Sequence, residues 1–285
     1  MTKSTYVHGR NSTEAARLQE QATDFAELVH GGVDWSNSDS LLEIGMGVGA
    51  QTKELLLRNP GLSVTGIEIS MDNIRFARET LSALEGAEGR FKLINADARA
   101  LPINIELTHP FDGAFICWAL EHISNPIQVL SEIKRVLKPG SQLVLREVIE
   151  NTVYIYPSFD ILAGRSAIAI IWERLNQLQR QSGQDPNIGV RLPYLLMQAG
   201  FQNIECQQVP LVGHCLKQKD RENLIDLFEG LVIGATPQLV DSNDKDWTQP
   251  EVSRLADEAK LEFDALRSNP QTSITTSIMK AQASA

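Results

Sequence analysis

From residue 41 onward the chain alternates between short apolar runs and stretches whose apolar residues recur every three or four positions. Leu41–Gly45, Leu62–Ile69, Phe91–Ala96, Asp112–Cys117 and Gln142–Val148 read as strands. Between them lie three amphipathic helices: Ala50–Leu57, a segment with Ile74, Ala77, Leu81 and Leu84 on one face, and Ile127–Leu137. Asn125-Pro126 marks the start of the third helix, and Lys138-Pro139-Gly140 ends it. Strands apolar along their whole length, separated by one-faced helices, are the pattern of a parallel sheet covered on both sides. Ahead of this rhythm, Asn11 and Glu14 at capping-box distance open a helix with the stripe Ala15, Leu18, Ala22, Phe25, Val29, which Gly31-Gly32 stops.

The rhythm breaks after residue 148. Ser158–Arg180 reads as a helix, but Ile161 to Trp172 is apolar nearly all round, so it must be buried from more than one direction, under a cap or against another subunit. Apolar residues left in water on that scale predict a homodimer or a higher homo-oligomer. A helix at Leu192–Gly200, a strand near Ile204–Val212 and two further helices follow. The second, Gln249–Leu266, has the box Thr248…Glu251 and the stripe Val252, Leu255, Ala259, Phe263, Leu266; the loosely alternating Thr272–Lys280 is a candidate last strand. The expectation is an α/β, doubly wound, Rossmann-like sheet of seven strands, mostly parallel with an antiparallel last strand. Helical cap insertions follow strands five and six. Residues 1–35 form an N-terminal helical arm, 36–150 the core, and 151–285 the cap insertions plus the last two strands.

Composition narrows the partners. A net charge of −10 over 285 residues argues against nucleic acid or an anionic membrane as the main partner. Most of the excess falls between Lys219 and Asp264, where twelve acids meet five bases, and reads as a solvated acidic face. Cys117, Cys206 and Cys215 are three cysteines without C-x-x-C spacing, which disfavours a zinc site or a disulfide framework and makes a reducing compartment the default. The longest apolar run, Ala167 to Trp172, is far short of the ~20 residues that span a bilayer, and residues 1–30 have no signal-like apolar core. A cytoplasmic protein without membrane insertion is expected.

The chemistry concentrates in Glu43-Ile44-Gly45-Met46-Gly47-Val48-Gly49-Ala50. An apolar strand feeds into an acid and then three glycines at alternate positions, a turn that lets the backbone pass close under a ligand before opening a helix. Taken alone it is ambiguous. Gly45, Gly47 and Ala50 also satisfy the dinucleotide fingerprint, with Glu68 about where its ribose-binding acid would fall.

Four further landmarks follow in order: Glu68 ending the second strand, Asp97-Ala98 after the third, Leu120-Glu121-His122 after the fourth, and Val136 to Gly140 before the fifth. Together with the glycine turn they resemble the class I S-adenosylmethionine-dependent methyltransferases, in the small-molecule, natural-product branch, over roughly residues 40–212. Leu192-Pro193…Gln198-Ala199-Gly200-Phe201 is similar to the family's helix and turn before the sixth strand. The resemblance implies S-adenosyl-L-methionine as cofactor, S-adenosyl-L-homocysteine as product, no metal, and a small-molecule acceptor. It implies that Glu43, Gly45, Gly47 and Gly49 shape the cofactor turn and that Glu68 takes the ribose hydroxyls. Asp97 and Ala98 would meet the adenine, and Ile69 and Trp118 would border it. Tyr6-Val7-His8-Gly9 and Glu14-x-x-Arg17 are similar to an arm that folds over the cofactor, with Arg17 pairing its carboxylate and Tyr6 closing the pocket. His122 is the candidate general base, with a structural histidine as the plain alternative. Tyr154, Tyr156, Phe159 and Trp172 are candidate acceptor contacts, pointing to a mid-sized, largely apolar or aromatic molecule. Two rival readings stay open: a cofactor-binding regulatory or partner protein that does not catalyse, and an NAD(P)-dependent oxidoreductase.

Overall fold

The structure is a computed structural model that describes residues 12–102, 111–149, 152–157, 166–241, 244 and 246–285. The first half runs α1 (Ser12–Asp24), α2 (Ala26–His30), β1 (Ser40–Ile44), α3 (Ala50–Arg58), β2 (Ser63–Glu68), α4 (Met71–Ser82), β3 (Phe91–Asn95) and β4 (Phe111–Cys117). A 3-10 turn (Leu120–His122) then leads to α5 (Pro126–Val136), β5 (Leu137–Val148), β6 (Tyr154–Tyr156) and α6 (Ala167–Gln181). The remainder is α7 (Ile188–Gln198), β7 (Gln202–Gly213), α8 (Gln218–Gly234), α9 (Gln249–Ser268) and β8 (Ser273–Ser284).

The chain divides into two compact units. The larger comprises Ala15–Ile149, Asn187–Val209 and Ile278–Ala285. Its strands lie in the order β3-β2-β1-β4-β5-β8. β1 to β5 are mutually parallel, and β8 runs antiparallel to β5 with Leu145 opposite Ala281. This is the mostly parallel α/β sheet that the apolar runs predict. Leu42, Ile44, Ala114, Ile116, Leu143 and Leu145 face one helix layer that contains Val129, Leu130 and Ile133 of α5 and Leu192 and Leu195 of α7. Leu41, Phe115 and Val144 point the other way, into Leu55 and Leu56 of α3, Leu81 of α4 and Val29 of α2. Alternation of side chains along each strand explains why all these strands look apolar throughout.

A fully buried arginine interrupts this apolar order. Arg146 on β5 donates from Nε to the carbonyl of Val29 at 2.8 Å and from Nη1 to the carbonyl of Leu145 at 2.9 Å. Burial lowers its pKa to about 10. These bonds to carbonyls satisfy a donor fork that apolar surroundings would otherwise make costly.

The smaller unit holds the described residues of 1–14, 150–186 and 210–277. Here α6 packs on α8 and α9. Trp172, Phe228 and Phe263 form a chain of edge-on rings with centroids 4.6 and 6.2 Å apart. Glu262 of α9 caps α6, its carboxylate accepting from Ser166 Oγ and from the backbone N–H groups of Ala167 and Ile168 at 2.8–3.0 Å. An anion there satisfies otherwise unpaired N–H groups and complements the helix dipole.

Several local expectations change. Among the described residues the sheet has eight strands, not seven, because Tyr154–Tyr156 pairs antiparallel with Ser273–Thr275 of β8. Lys138-Pro139-Gly140 does not form a free turn: β5 begins at Leu137, and these residues make a bulge beside Asp112, whose carboxylate pairs with the Lys138 ammonium. The leading helix breaks at Phe25 into α1 and α2. Thr248 and Asn125 precede their helices without a side-chain cap bond; Asn125 takes a left-handed conformation instead. The α6 helix begins at Ala167, and Ile161 and the rest of 158–165 lie outside the described residues. Ile168, Ile171 and Leu175 of α6 are buried, and α6 packs on α8 and α9 of the same chain.

Candidate active site

The glycine turn leaves β1 in an unusual backbone path. Gly45, Gly47 and Gly49 have φ of +68°, +55° and +76°, a region that side chains disfavour. The two outer glycines are needed for packing as well. A Cβ on Gly45 would stand 2.5 Å from Cβ of Ala119, and one on Gly49 would stand 3.1 Å from Cβ of Ala77. Gly47 differs: a Cβ there would meet nothing within 4 Å. Its face of the turn is therefore open, as a backbone cradle for a ligand requires.

Glu68 ends β2 directly beside this turn. Its carboxylate accepts from Gly47 N–H at 3.1 Å and from Ser70 N–H at 2.8 Å, and the side chain is buried. Ile69 follows with 52% exposure, an apolar surface next to the acid. Glu43 plays a different part. It is buried, accepts from Thr52 Oγ1 at 2.6 Å, and burial raises its pKa to about 8. It ties β1 to α3 from inside the core.

After β3, Asp97 is held by a partner that the sequence reading passed over. Arg99 donates to both Asp97 oxygens at 2.6–3.1 Å, and this contact keeps the carboxyl below its usual range. Arg99 also donates to Ser124 Oγ at 2.9 Å, joining the loops after β3 and β4. The two are only two residues apart, but nothing in that spacing says that they pair. Ala98 is buried in the core.

The segment after β4 is the most constrained part of the site. Trp118 has φ +48°, which is rare for a bulky residue, and its N–H donates to Arg146 O at 2.8 Å. Its ring is half-buried and meets Phe25 edge-on at 6.4 Å. The next turn hangs on Glu147 of β5, whose Oε1 accepts from Leu120 N–H at 2.9 Å and Ala119 N–H at 3.3 Å. Glu147 is fully buried, burial raises its pKa to about 7, and its Oε2 makes no hydrogen bond. His122 is 16% exposed, with Nε2 3.5 Å from Glu121. Burial first, then the charge of Arg17, lowers its pKa to about 4, so the imidazole is neutral at pH 7.

Arg17 thus comes near His122, although residues 17 and 122 are far apart in sequence. α1 also lies on the glycine turn: Gln19 Nε2 donates to Val48 O at 3.2 Å, and Ala15 and Ala22 pack with Val48 and Ala50. Glycine turn, Glu68, Trp118, His122 and Arg17 all belong to the larger unit. Tyr154, Tyr156 and Trp172 belong to the smaller one. The two tyrosines are 68% and 61% exposed on β6, while Trp172 packs on Phe228. Tyr6 and Phe159 lie outside the described residues. Among the described residues no cluster of His, Cys, Asp or Glu has metal-binding geometry, and no helix is long and apolar enough to cross a membrane.

With this geometry established, the comparisons with known proteins fall into place. Residues 42–145 match the family described as "Methyltransferase domain". An O-methyltransferase of Pyrenophora dematioidea is 30% identical over 174 residues, covering 61% of this chain and 58% of its own length. A demethylmenaquinone methyltransferase of Tropheryma whipplei is 29% identical and covers 69% of this chain and 87% of its own length. Across the first four curated relatives the chain spans only 40–58% of their lengths. A solved structure, the 4+2 cyclase SpnF, has the same fold, with a TM-score of 0.53 at 20% identity over 90% of this chain and 81% of its own. Residues 42–145 thus match a methyltransferase domain, and the chain shares the fold of SpnF.

Proposed function

We propose that the protein transfers a methyl group from S-adenosyl-L-methionine to a mid-sized, largely apolar or aromatic small molecule. The observation that carries this reading is the open Gly47 face of a left-handed turn with the Glu68 carboxylate immediately beside it. When bound, the cofactor supplies a sulfonium carbon for direct displacement. The chain's task is then to hold and align the reactants and to exclude water.

In this reading Glu68 gives up its backbone N–H bonds or shares them, since a carboxylate has about four acceptor positions for two ribose hydroxyls. Ile69 and Trp118 offer apolar faces to the flat part of the cofactor. Arg17 carries the positive charge that a carboxylate end would meet. Asp97 reaches the adenine only if it shares its oxygens with Arg99, and the backbone at Ala98 provides the neighbouring contact. His122 accepts a proton from an acceptor that retains one, and its neutral state at pH 7 suits that role. The named relatives, an O-methyltransferase and a quinone-pathway methyltransferase, support a small organic acceptor.

That a cyclase shares the fold is a reminder that fold alone does not decide chemistry. The deciding experiment incubates the full protein with isotope-labelled cofactor and a host extract. Mass spectrometry should find label in a small molecule. S-adenosylhomocysteine binding without any labelled product favours the non-catalytic reading; NADH binding without S-adenosylhomocysteine binding overturns both.

A further inference from the structure

The smaller unit contains a cavity of about 460 Å³ between β6, α6 and α8 and the segment before α9. Its walls combine aromatic and aliphatic residues, Ile168, Trp172, Phe228 and Trp247 among them, with polar residues of α6 such as Asn176 and Gln177. All of its lining lies in that one unit. The volume is within the range of pockets that hold compact organic molecules, roughly 300–1,000 Å³.

One side chain makes this more than a packing gap. Arg174 reaches into the lining with its side chain only 14% exposed. Its guanidinium lies over the ring of Trp247, 4.9 Å from the centroid, so its position is fixed by a cation–π contact. Asp244 forms an ion pair with it, the nearest oxygen 3.7 Å from Nη2 and beyond hydrogen-bond reach. Nε is buried and has no hydrogen-bond partner. Buried donors on a charged group are almost always satisfied, because leaving one unmade is costly. Here is a guanidinium fixed by stacking in the wall of a cavity with aromatic lining. Arg180 and Glu173 are exposed at the rim and balance each other in sign.

We infer that this cavity is a binding site for a flat aromatic molecule bearing one anionic group, such as a carboxylate, which Arg174 receives while Trp172 and Trp247 flank the ring system. The terminal N–H groups of a guanidinium form a fork that two anionic oxygens match. The site does not depend on the methyl-transfer reading, and it stands or falls with its own measurement.

The test uses the full chain and two fluorescent probes of similar shape. One is the anion 8-anilinonaphthalene-1-sulfonate; the other is the uncharged N-phenyl-1-naphthylamine. The wild type should bind the sulfonate with 1:1 stoichiometry and quenching of tryptophan emission, about tenfold more tightly than the neutral probe. Arg174→Leu should abolish that preference while leaving the neutral probe within about twofold. Ala169→Trp, which fills the cavity from α6, should block both. Equal affinity of the wild type for the two probes overturns the assignment, and this arm needs no variant to fold. Unchanged sulfonate binding in folded Arg174→Leu or in Ala169→Trp overturns it as well.

Discussion

The carboxylate of Glu147 accepts the backbone N–H of Leu120 at 2.9 Å, so a residue inside β5 holds the turn that ends in His122. The carboxyl pays for this place with a pKa raised to about 7 from 4.5 by burial. The folded state therefore keeps its proton at a pH where the unfolded chain has lost it. Stability from this group is fully present below about pH 4.5 and declines as the pH rises through 7. Glu43, raised to about 8, acts in the same direction. Urea unfolding from pH 5 to 9 should show falling stability. Glu147→Gln, which keeps a carbonyl acceptor for Leu120, should flatten that slope by on the order of 1–3 kcal/mol. An unchanged slope would mean that Glu147 is ionised in the folded protein at pH 5.

Glu68 joins the glycine turn and the start of α4 through its two backbone bonds. Glu68→Ala should weaken S-adenosylhomocysteine binding by more than tenfold, roughly 1.4 kcal/mol or more. Isothermal calorimetry reads this directly. Affinity within about twofold of wild type would remove Glu68 from the cofactor site.

His122→Asn should lower turnover by ~10²-fold while leaving cofactor affinity nearly unchanged, if the acceptor carries a proton that His122 removes. The pH profile adds an independent reading. With the imidazole pKa near 4, turnover should not fall as the pH drops from 7 to 5.5 on account of this residue. Equal turnover in the asparagine variant would make His122 structural, with catalysis by alignment alone.

Ile168 is buried at 3% exposure between helices of its own unit. Ile168→Asp should cost several kcal/mol of stability, about 3 or more, because an unpaired carboxylate would enter an apolar site. Sedimentation should give the same assembly state for the wild type and for any folded variant. Dissociation of a wild-type oligomer on this substitution would instead place α6 at a subunit contact.

The middle of the sheet was legible because β1, β4 and β5 are buried on both faces, and continuous runs such as Leu41-Leu42-Glu43-Ile44 leave few other readings. The same runs hid the polar residues that matter. Glu147 lies in the apolar string Leu143 to Ile149, where an acid looks solvent-facing. Its partners Ala119 and Leu120 come from 28 and 27 residues upstream. β6 was illegible for a related reason, since Tyr154–Tyr156 is three residues long and owes its pairing to a strand that starts at Ser273. At the candidate site, spacing found Glu68 and the glycines because the backbone there needs particular residue types. It did not find Arg99, because no local pattern says whether an aspartate is already occupied by its neighbour.

Arg146 gives the leading helices an uncommon standing. Because its guanidinium ends on the carbonyl of Val29, the close of α2 is wired into the interior of the sheet. A segment so attached does not behave as an interchangeable module. Any residue at position 29 supplies that carbonyl, so a graft of α1–α2 keeps the bond only if the end of α2 keeps its backbone path. What the buried cation constrains is the placement of the segment, in recombination between relatives as in protein engineering.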